Sequence, residues 1–158
     1  MTAAWRAGHT VSVETVSCET PVPLDPWFIT GLLQGEGSFT FSRSGPQLSL
    51  YFALKLGLRD RELLAALQHH FAGGGRIYPI RRSQRLLYRI SRSDELERVV
   101  DHFDAYPLRG HKAATYAVWR QMVQLKRKFR AVDRERLFAL AEELSTLARA
   151  PSPMLRGV

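Results

Sequence analysis

One stretch of the chain has residue types at spacings that can do chemistry: Asp25-Pro26-Trp27-Phe28-Ile29-Thr30-Gly31-Leu32-Leu33-Gln34-Gly35-Glu36-Gly37-Ser38-Phe39. Gly31 and Gly35 stand four apart on a short apolar helix and so share one face. Small residues at that spacing let two helix backbones approach closely. Each interior glycine costs a helix about 1 kcal/mol relative to alanine, so two of them call for a reason. If the partner is the same helix of a second copy, the contact is two-fold symmetric and sets two copies of Glu36 together at the helix C-termini. Like carboxylates placed where helix dipoles are already negative repel one another, and a bound cation resolves the conflict. Oxygen-only ligation favours a hard ion such as Mg²⁺, which keeps several waters and accepts substrate phosphate oxygens. Phe28 and Leu32 join Gly31 and Gly35 in the predicted helix–helix contact.

The elements that must position this acid are readable in turn. Asp25-Pro26 starts the helix, with a carboxylate at the N-cap and proline at the first helical position. The helix covers 27–34, and the glycines of Gly35-Glu36-Gly37 end it. Residues 38–42 alternate polar and aromatic side chains as a half-buried strand does. After the turn Ser44-Gly45-Pro46, a second strand over 47–56 puts Leu48, Leu50, Phe52, Leu54 and Leu56 on one face. Gln47, Ser49, Tyr51, Ala53 and Lys55 take the other. Asp60 is expected to cap a helix carrying Leu63, Leu64, Leu67 and Phe71, which Gly73-Gly74-Gly75 breaks. Residues 76–80 and 86–91 form a second hairpin around Arg81-Arg82-Ser83-Gln84-Arg85. Ser93 is expected to cap a helix with Leu96, Val99, Val100 and Phe103 inward. A longer helix follows over about 111–129, and a last one carries Leu137, Leu140, Ala141, Leu144 and Leu147.

This order predicts an α+β domain over 24–150, with a flexible N-terminal arm over 1–23 and a C-terminal tail over 151–158. Helices must cover the apolar face of both hairpins, which leaves the other face open to solvent or to a ligand. An open, basic, antiparallel sheet is either a saddle for nucleic acid, since a two-stranded ribbon fits the DNA major groove, or an ordinary solvated surface. Charge bears on that choice. The net charge is +8, and ten basic residues between Arg43 and Arg92 face two acids, Asp60 and Glu62. Such a regional excess implies a polyanionic partner. Cys18 is the only cysteine, which excludes an intrachain disulfide or a thiolate zinc site and fits a reducing compartment. No run has the length of a signal peptide or membrane span, so the expected setting is intracellular (bacterial cytoplasm or organelle), not secreted and without membrane contact. His69 and His70 are expected on the outer face of their helix, and Tyr116 and Trp119 in a buried stripe. The cluster Lys126-Arg127-Lys128 reads as a solvated helix end.

The stretch "DPWFITGLLQGEGSF" resembles the signature of the LAGLIDADG homing endonucleases, with 29–37 standing for the motif itself. "HHFAGGGRIY", "LLYRIS" and "HFDAYPLRGHKAATYAVW" follow in the family's order and spacing. The resemblance implies the single-motif, homodimeric type with an αββαββα fold, a saddle-shaped antiparallel sheet with helices on one face, and C-terminal helices. It implies a site-specific double-stranded DNA endonuclease that hydrolyses phosphodiester bonds in a long pseudo-palindromic target with Mg²⁺, for which Mn²⁺ or Ca²⁺ can substitute. Glu36 stands where the family's metal-binding acid stands, with the Gly35 carbonyl as a further ligand, and Gln34 replaces the motif's first, non-catalytic acid. Lys112 matches the lysine near the scissile phosphate, where it helps order a water or neutralise developing charge; His111 is its neighbour. Leu56 falls where relatives can hold a polar residue that organises active-site water. Base contacts are expected from Thr40, Ser42, Ser44, Gln47, Ser49, Tyr51, Tyr78, Arg85 and Arg89. Of these, Gln47, Arg85 and Arg89 can read adenine or guanine in bidentate fashion. Arg43, Lys55, Arg81 and Arg82 are expected to hold phosphates. The alternative on the same scaffold is a non-catalytic nucleic-acid binder, either a maturase of its own intron RNA or a DNA-binding regulator. A structural dimer module is the third.

Overall fold

The computed structural model describes residues 21–127 and 133–149. The C-terminal tail over 151–158 and most of the N-terminal arm, residues 1–20, lie outside these, as does the end of the long helix beyond Arg127. Helix α1 (Pro26–Glu36) leads into strands β1 (Gly37–Ser44) and β2 (Gln47–Gly57), then α2 (Arg61–His70), β3 (Arg76–Pro79) and β4 (Arg85–Ile90). Three helices close the chain: α3 (Ser93–Ala105), α4 (Gly110–Arg127) and α5 (Arg134–Arg149). The expected α+β architecture is present, helix–hairpin–helix–hairpin–helix and then two C-terminal helices. The sheet is antiparallel throughout, in the order β1-β2-β4-β3.

Period-two alternation decides which side chains meet the helices. Leu48, Leu50, Phe52, Leu54 and Leu56 of β2 lie on the same face as Leu86, Tyr88 and Ile90 of β4, and all are buried. Ile29 and Leu33 of α1, Leu64 and Leu67 of α2, Val99 and Phe103 of α3, and Trp119 and Met122 of α4 close over them. Burying a side chain of this size stabilises by about 1.5–3 kcal/mol. Phe39 is the hub: the rings of Phe52, Phe103, Tyr116 and Trp119 lie 5.2–5.5 Å from it. The predicted buried stripe of Tyr116 and Trp119 is therefore real, and the Trp119 indole N–H also donates to the Thr40 carbonyl at 3.2 Å. That bond fastens α4 to edge strand β1.

Local details differ from the sequence reading at the helix starts and ends. Helix α1 continues past Gln34 to Glu36, because Gly37 is extended and its N–H closes on the Leu33 carbonyl. Asp25 accepts from Phe28 N–H at 3.0 Å as expected. Asp60 makes no side-chain cap, since it sits in a 3₁₀ turn (Leu58–Asp60) rather than the extended conformation from which a carboxylate reaches back. Ser93 is no cap either: it is the first helical residue of α3, and the extended residue before it is Arg92. The loop after α2 requires Gly75, whose φ is +73° and where a Cβ would stand 2.6 Å from the Arg89 carbonyl.

Candidate functional site

Helix α1 buries Ile29, Thr30 and Leu33 and leaves its opposite face open. Trp27 and Phe28 are 53% and 49% exposed. Gly31 and Gly35 are exposed, Leu32 is half-buried, and a Cβ added at either glycine would meet nothing within 4 Å. Among the described residues, nothing demands glycine at those two positions. They define a smooth, unoccupied strip that ends at Glu36.

Basic groups gather around that end. The Arg85 guanidinium lies 4.0 Å from the Glu36 carboxylate, both side chains 52% exposed, and it also donates to the Lys55 carbonyl at 3.3 Å. The Lys112 ammonium donates to the Gly37 carbonyl, the residue after Glu36, at 2.5 Å. Burial holds Lys112 below the ordinary lysine pKa, and the nearby Glu36 carboxylate works against that shift. Lys112 gets there through the start of α4, which is stitched to α1 by Gln34: its side-chain amide exchanges two hydrogen bonds with the backbone of Arg109. The structure thus brings Glu36, Lys112 and Arg85 together, residues that are far apart in sequence.

Strand register sorts the remaining candidates by face. Thr40 pairs with Tyr51, Ser42 with Ser49 and Ser44 with Gln47, so all six point away from the helices. Lys55, Leu87 and Tyr78 form a row across β2, β4 and β3, and Ala53, Arg89 and Arg76 form the next. The Arg89 guanidinium lies over the Tyr51 ring, 3.8 Å from its centroid. Ser38, Thr40, Tyr51, Lys55, Arg89 and Lys112 line a groove of about 560 Å³ on this side. Arg81 and Arg82 are exposed in the turn between β3 and β4.

Arg43 is placed differently from expectation, and Leu56 bears on the site differently from what the resemblance implied. Arg43 pairs with Leu48 and so points to the helix side, where its guanidinium lies 4.7 Å from the Phe138 ring centroid. Leu56 is core, 9% exposed, on the helix-covered face. A polar group there would be aimed into the interior, so Leu56 says nothing about water at the site; its open-face neighbour at this end of β2 is Lys55.

Other features were missed in the sequence. Arg76 shares the open face with Arg89, a placement its parity with Tyr78 already implied. His69 is exposed as expected, but His70 is not on an outer face: its Nε2 meets His102 Nδ1 at 3.1 Å, and His102 Nε2 meets the Thr30 hydroxyl at 3.1 Å. Lys126 donates to the Leu48 carbonyl and Arg127 pairs with Glu97 at 3.1 Å, so both serve the fold rather than a free helix end.

Within one chain, and among the described residues, no cluster of three or more His, Cys, Asp or Glu side chains offers a metal site. Among the described residues, the end of α1 offers one carboxylate, Glu36, and the backbone carbonyls of a helix end that lack an i+4 donor, Gly35 among them. All are oxygen donors at the negative end of a helix dipole, a set that suits a hard divalent cation once a second carboxylate joins it.

The family model for the LAGLIDADG endonuclease matches residues 29–123. "Probable intron-encoded endonuclease 3" of Neurospora crassa is 33% identical over 109 residues, covering 65% of this chain and 20% of that protein. "Probable intron-encoded DNA endonuclease 1" of Mycosarcoma maydis is 30% identical over 104 residues, 61% of this chain and 37% of that one. The chain thus spans between a fifth and two fifths of the length of these relatives. Among solved structures, the LAGLIDADG meganuclease I-AabMI bound to uncleaved DNA superposes with a TM-score of 0.68 at 30% identity, covering 75% of this chain and 44% of that chain. The homing endonuclease I-TnaI shares the fold, with a TM-score of 0.68 at 23% identity over 80% of this chain and 97% of that one. With most of the signature helix, the whole sheet, α2, α3 and most of α4 inside the matched region, the chain belongs to the LAGLIDADG endonuclease family.

Proposed function

We propose that two copies of this chain pair through the open faces of α1 and cut double-stranded DNA at a long, roughly two-fold symmetric site, with Mg²⁺ as the cofactor. The observation that carries this reading is the convergence of three features at one point. The glycine strip of α1 ends at Glu36, Lys112 and Arg85 stand beside it, and the basic open face of the sheet begins there. A single carboxylate per chain is too few for a divalent ion, and pairing through Gly31 and Gly35 doubles it. That the solved DNA-bound relative is more than twice as long as the matched region supports a site built from two such units.

In this reading the open face carries the duplex. Thr40, Ser42, Ser44, Gln47, Ser49, Tyr51, Tyr78 and Arg89 face base edges, and Lys55, Arg81 and Arg82 face phosphates. Glu36 of both copies, with the Gly35 carbonyls, would hold the ion, which when bound supplies charge to polarise the phosphate and to acidify a water. Lys112, fixed at the Gly37 carbonyl, is placed to offset negative charge that develops on the phosphorane oxygens. The setting in this reading is intracellular, where a genomic insertion site lies.

The test is cleavage of the intronless insertion site by the purified chain with Mg²⁺. Glu36→Gln should abolish cutting while Kd for the duplex stays within about threefold, since an isosteric amide removes charge but little shape. A wild-type chain that binds the duplex yet fails to cut it with every divalent ion tried would defeat this reading. Splicing of the host intron stimulated by the Glu36→Gln protein would then identify a maturase.

A further inference from the structure

Gln34 stands where the family signature carries its first acid, and its side chain makes a contact that a carboxylate is unable to make. The amide oxygen accepts from the Arg109 backbone N–H at 3.0 Å, and the amide nitrogen donates to the Arg109 carbonyl at 3.0 Å. A primary amide presents one acceptor and one donor side by side, which matches the N–H and C=O of a single residue; an ionised carboxylate only accepts. Glutamate here would keep one bond and set a negative oxygen against the Arg109 carbonyl.

The contact has a second anchor on the same helix face. Thr30, one turn earlier, donates its hydroxyl to the Tyr106 carbonyl at 2.9 Å, and Trp27 meets the Tyr106 ring edge-on at 5.3 Å. Trp27, Thr30 and Gln34 thus hold the segment from Tyr106 to Arg109 along α1. Gly110 follows with φ +55° and opens α4, and Lys112 lies in the first turn of that helix. Of the three α1 anchors, Gln34 is nearest Lys112 along the strap and nearest Glu36 along the helix.

We infer that Gln34 is a positioning residue: it locks the first turn of α4 to the last turn of α1 and thereby sets Lys112 against the Glu36 end of the helix. Its consequence for catalysis rests on the proposed cleavage reaction; the positioning itself does not.

Gln34→Met removes both bonds, and Gln34→Glu is a near-isosteric variant that keeps the fold if the first does not. In free protein with ¹⁵N-labelled lysine, the Lys112 Nζ signal should be protected from solvent exchange in the wild type. It should lose that protection in both variants, with melting curves little changed. On target duplex, each variant should cut about 10- to 100-fold more slowly with Kd unchanged, the scale expected for an ångström-level misplacement of an active group. In a Lys112→Met background the Gln34 substitution should cost nothing more, because its effect runs through the missing ammonium. Unchanged protection of Lys112 in Gln34→Met, or rate losses that multiply with those of Lys112→Met, would overturn the inference. Should the wild type cut no duplex, the cleavage reading is what has failed, and the Nζ protection alone decides the role of Gln34.

Discussion

A carboxylate at the C-terminal end of a helix sits in the least favourable part of the helix dipole, and Glu36 is placed there with half its surface exposed. A positive group or ion eases such a position, and the chain itself supplies one in Arg85. That pair is exposed, with its charged atoms 4.0 Å apart, so it contributes at most about 1 kcal/mol to folding. Its value lies in where it holds the guanidinium, beside the acid and the Lys55 backbone rather than out along the reading face. Arg85→Gln should therefore leave the melting temperature nearly unchanged and slow cleavage by about tenfold or more, the effect of losing one charged group near the reacting phosphate. Base preference, measured by binding to a panel of substituted duplexes, should not move. A variant that cuts at the wild-type rate but accepts a new base would return Arg85 to base recognition.

Helix α1 has an outer face, with Phe28, Gly31 and Gly35 exposed, that meets no partner among the described residues. Because a Cβ at Gly31 meets nothing, Gly31→Ala should stabilise the isolated chain by about 1 kcal/mol through helix propensity. The larger Gly31→Leu should keep the monomer folded yet block close pairing. Sedimentation should then show a weakened dimer together with lost cleavage; an intact dimer in the Gly31→Leu variant would mean the helices do not meet there. A second device ties α1 to α2 and α3. The Thr30 hydroxyl donates to the Tyr106 carbonyl, so it accepts from His102 Nε2–H, and His102 Nδ1 accepts from His70 Nε2–H. Burial first, then the neighbouring His70, pushes the His102 pKa down to about 4, and burial lowers that of His70. The unfolded chain binds these protons near pH 6.5. Stability is thus fully present above pH 6.5 and falls as pH drops from 6.5 towards 4. The slope is up to about 1.4 kcal/mol per pH unit for His102, and less for His70, which solvent partly screens. Urea midpoints from pH 7.5 to 4.5 should show this slope, and His102→Leu should flatten it; parallel curves would exclude the pair as its source. None of this chain was legible in the sequence, because its members sit on three helices and share no period. The hairpins were legible, since alternation alone gave both faces, and by the same parity Arg43 belongs with Phe39 and Phe41 and Leu56 with Leu48. The caps assigned to Asp60 and Ser93 failed for another reason: a residue type favours a cap, but only the backbone conformation of the preceding turn makes one. Glu36 could be singled out from the glycine spacing and the helix end, and Lys112 through the family resemblance, whereas the bonds of Gln34 depend on a strap that only the fold brings near.

At the scale of the whole molecule, the question is how a chain of net charge +8 divides its positive groups between fold and partner. Arg92 pairs with Asp94, Arg120 with Asp104 and Arg127 with Glu97, so these charges are largely answered within the chain, and Arg43 is held on the helix side over the Phe138 ring. Lys55, Arg76 and Arg89 remain on the open sheet face, with Arg81 and Arg82 in the turn beyond it and Arg85 at its Glu36 end. If three to five of these six reach phosphates, a symmetric pair of chains neutralises about six to ten, and the plot of log K against log salt should fall with a slope of about −5 to −9. Affinity for a target duplex should then drop about 10³- to 10⁵-fold between 50 and 200 mM salt. A slope near half that range would put only one copy on the duplex, and one near zero would mean the open face meets no backbone at all. The slope is therefore a count of chains on DNA as much as a measure of charge. It separates a paired enzyme, whose two acids must straddle one duplex, from a single basic sheet that binds nucleic acid without cutting it.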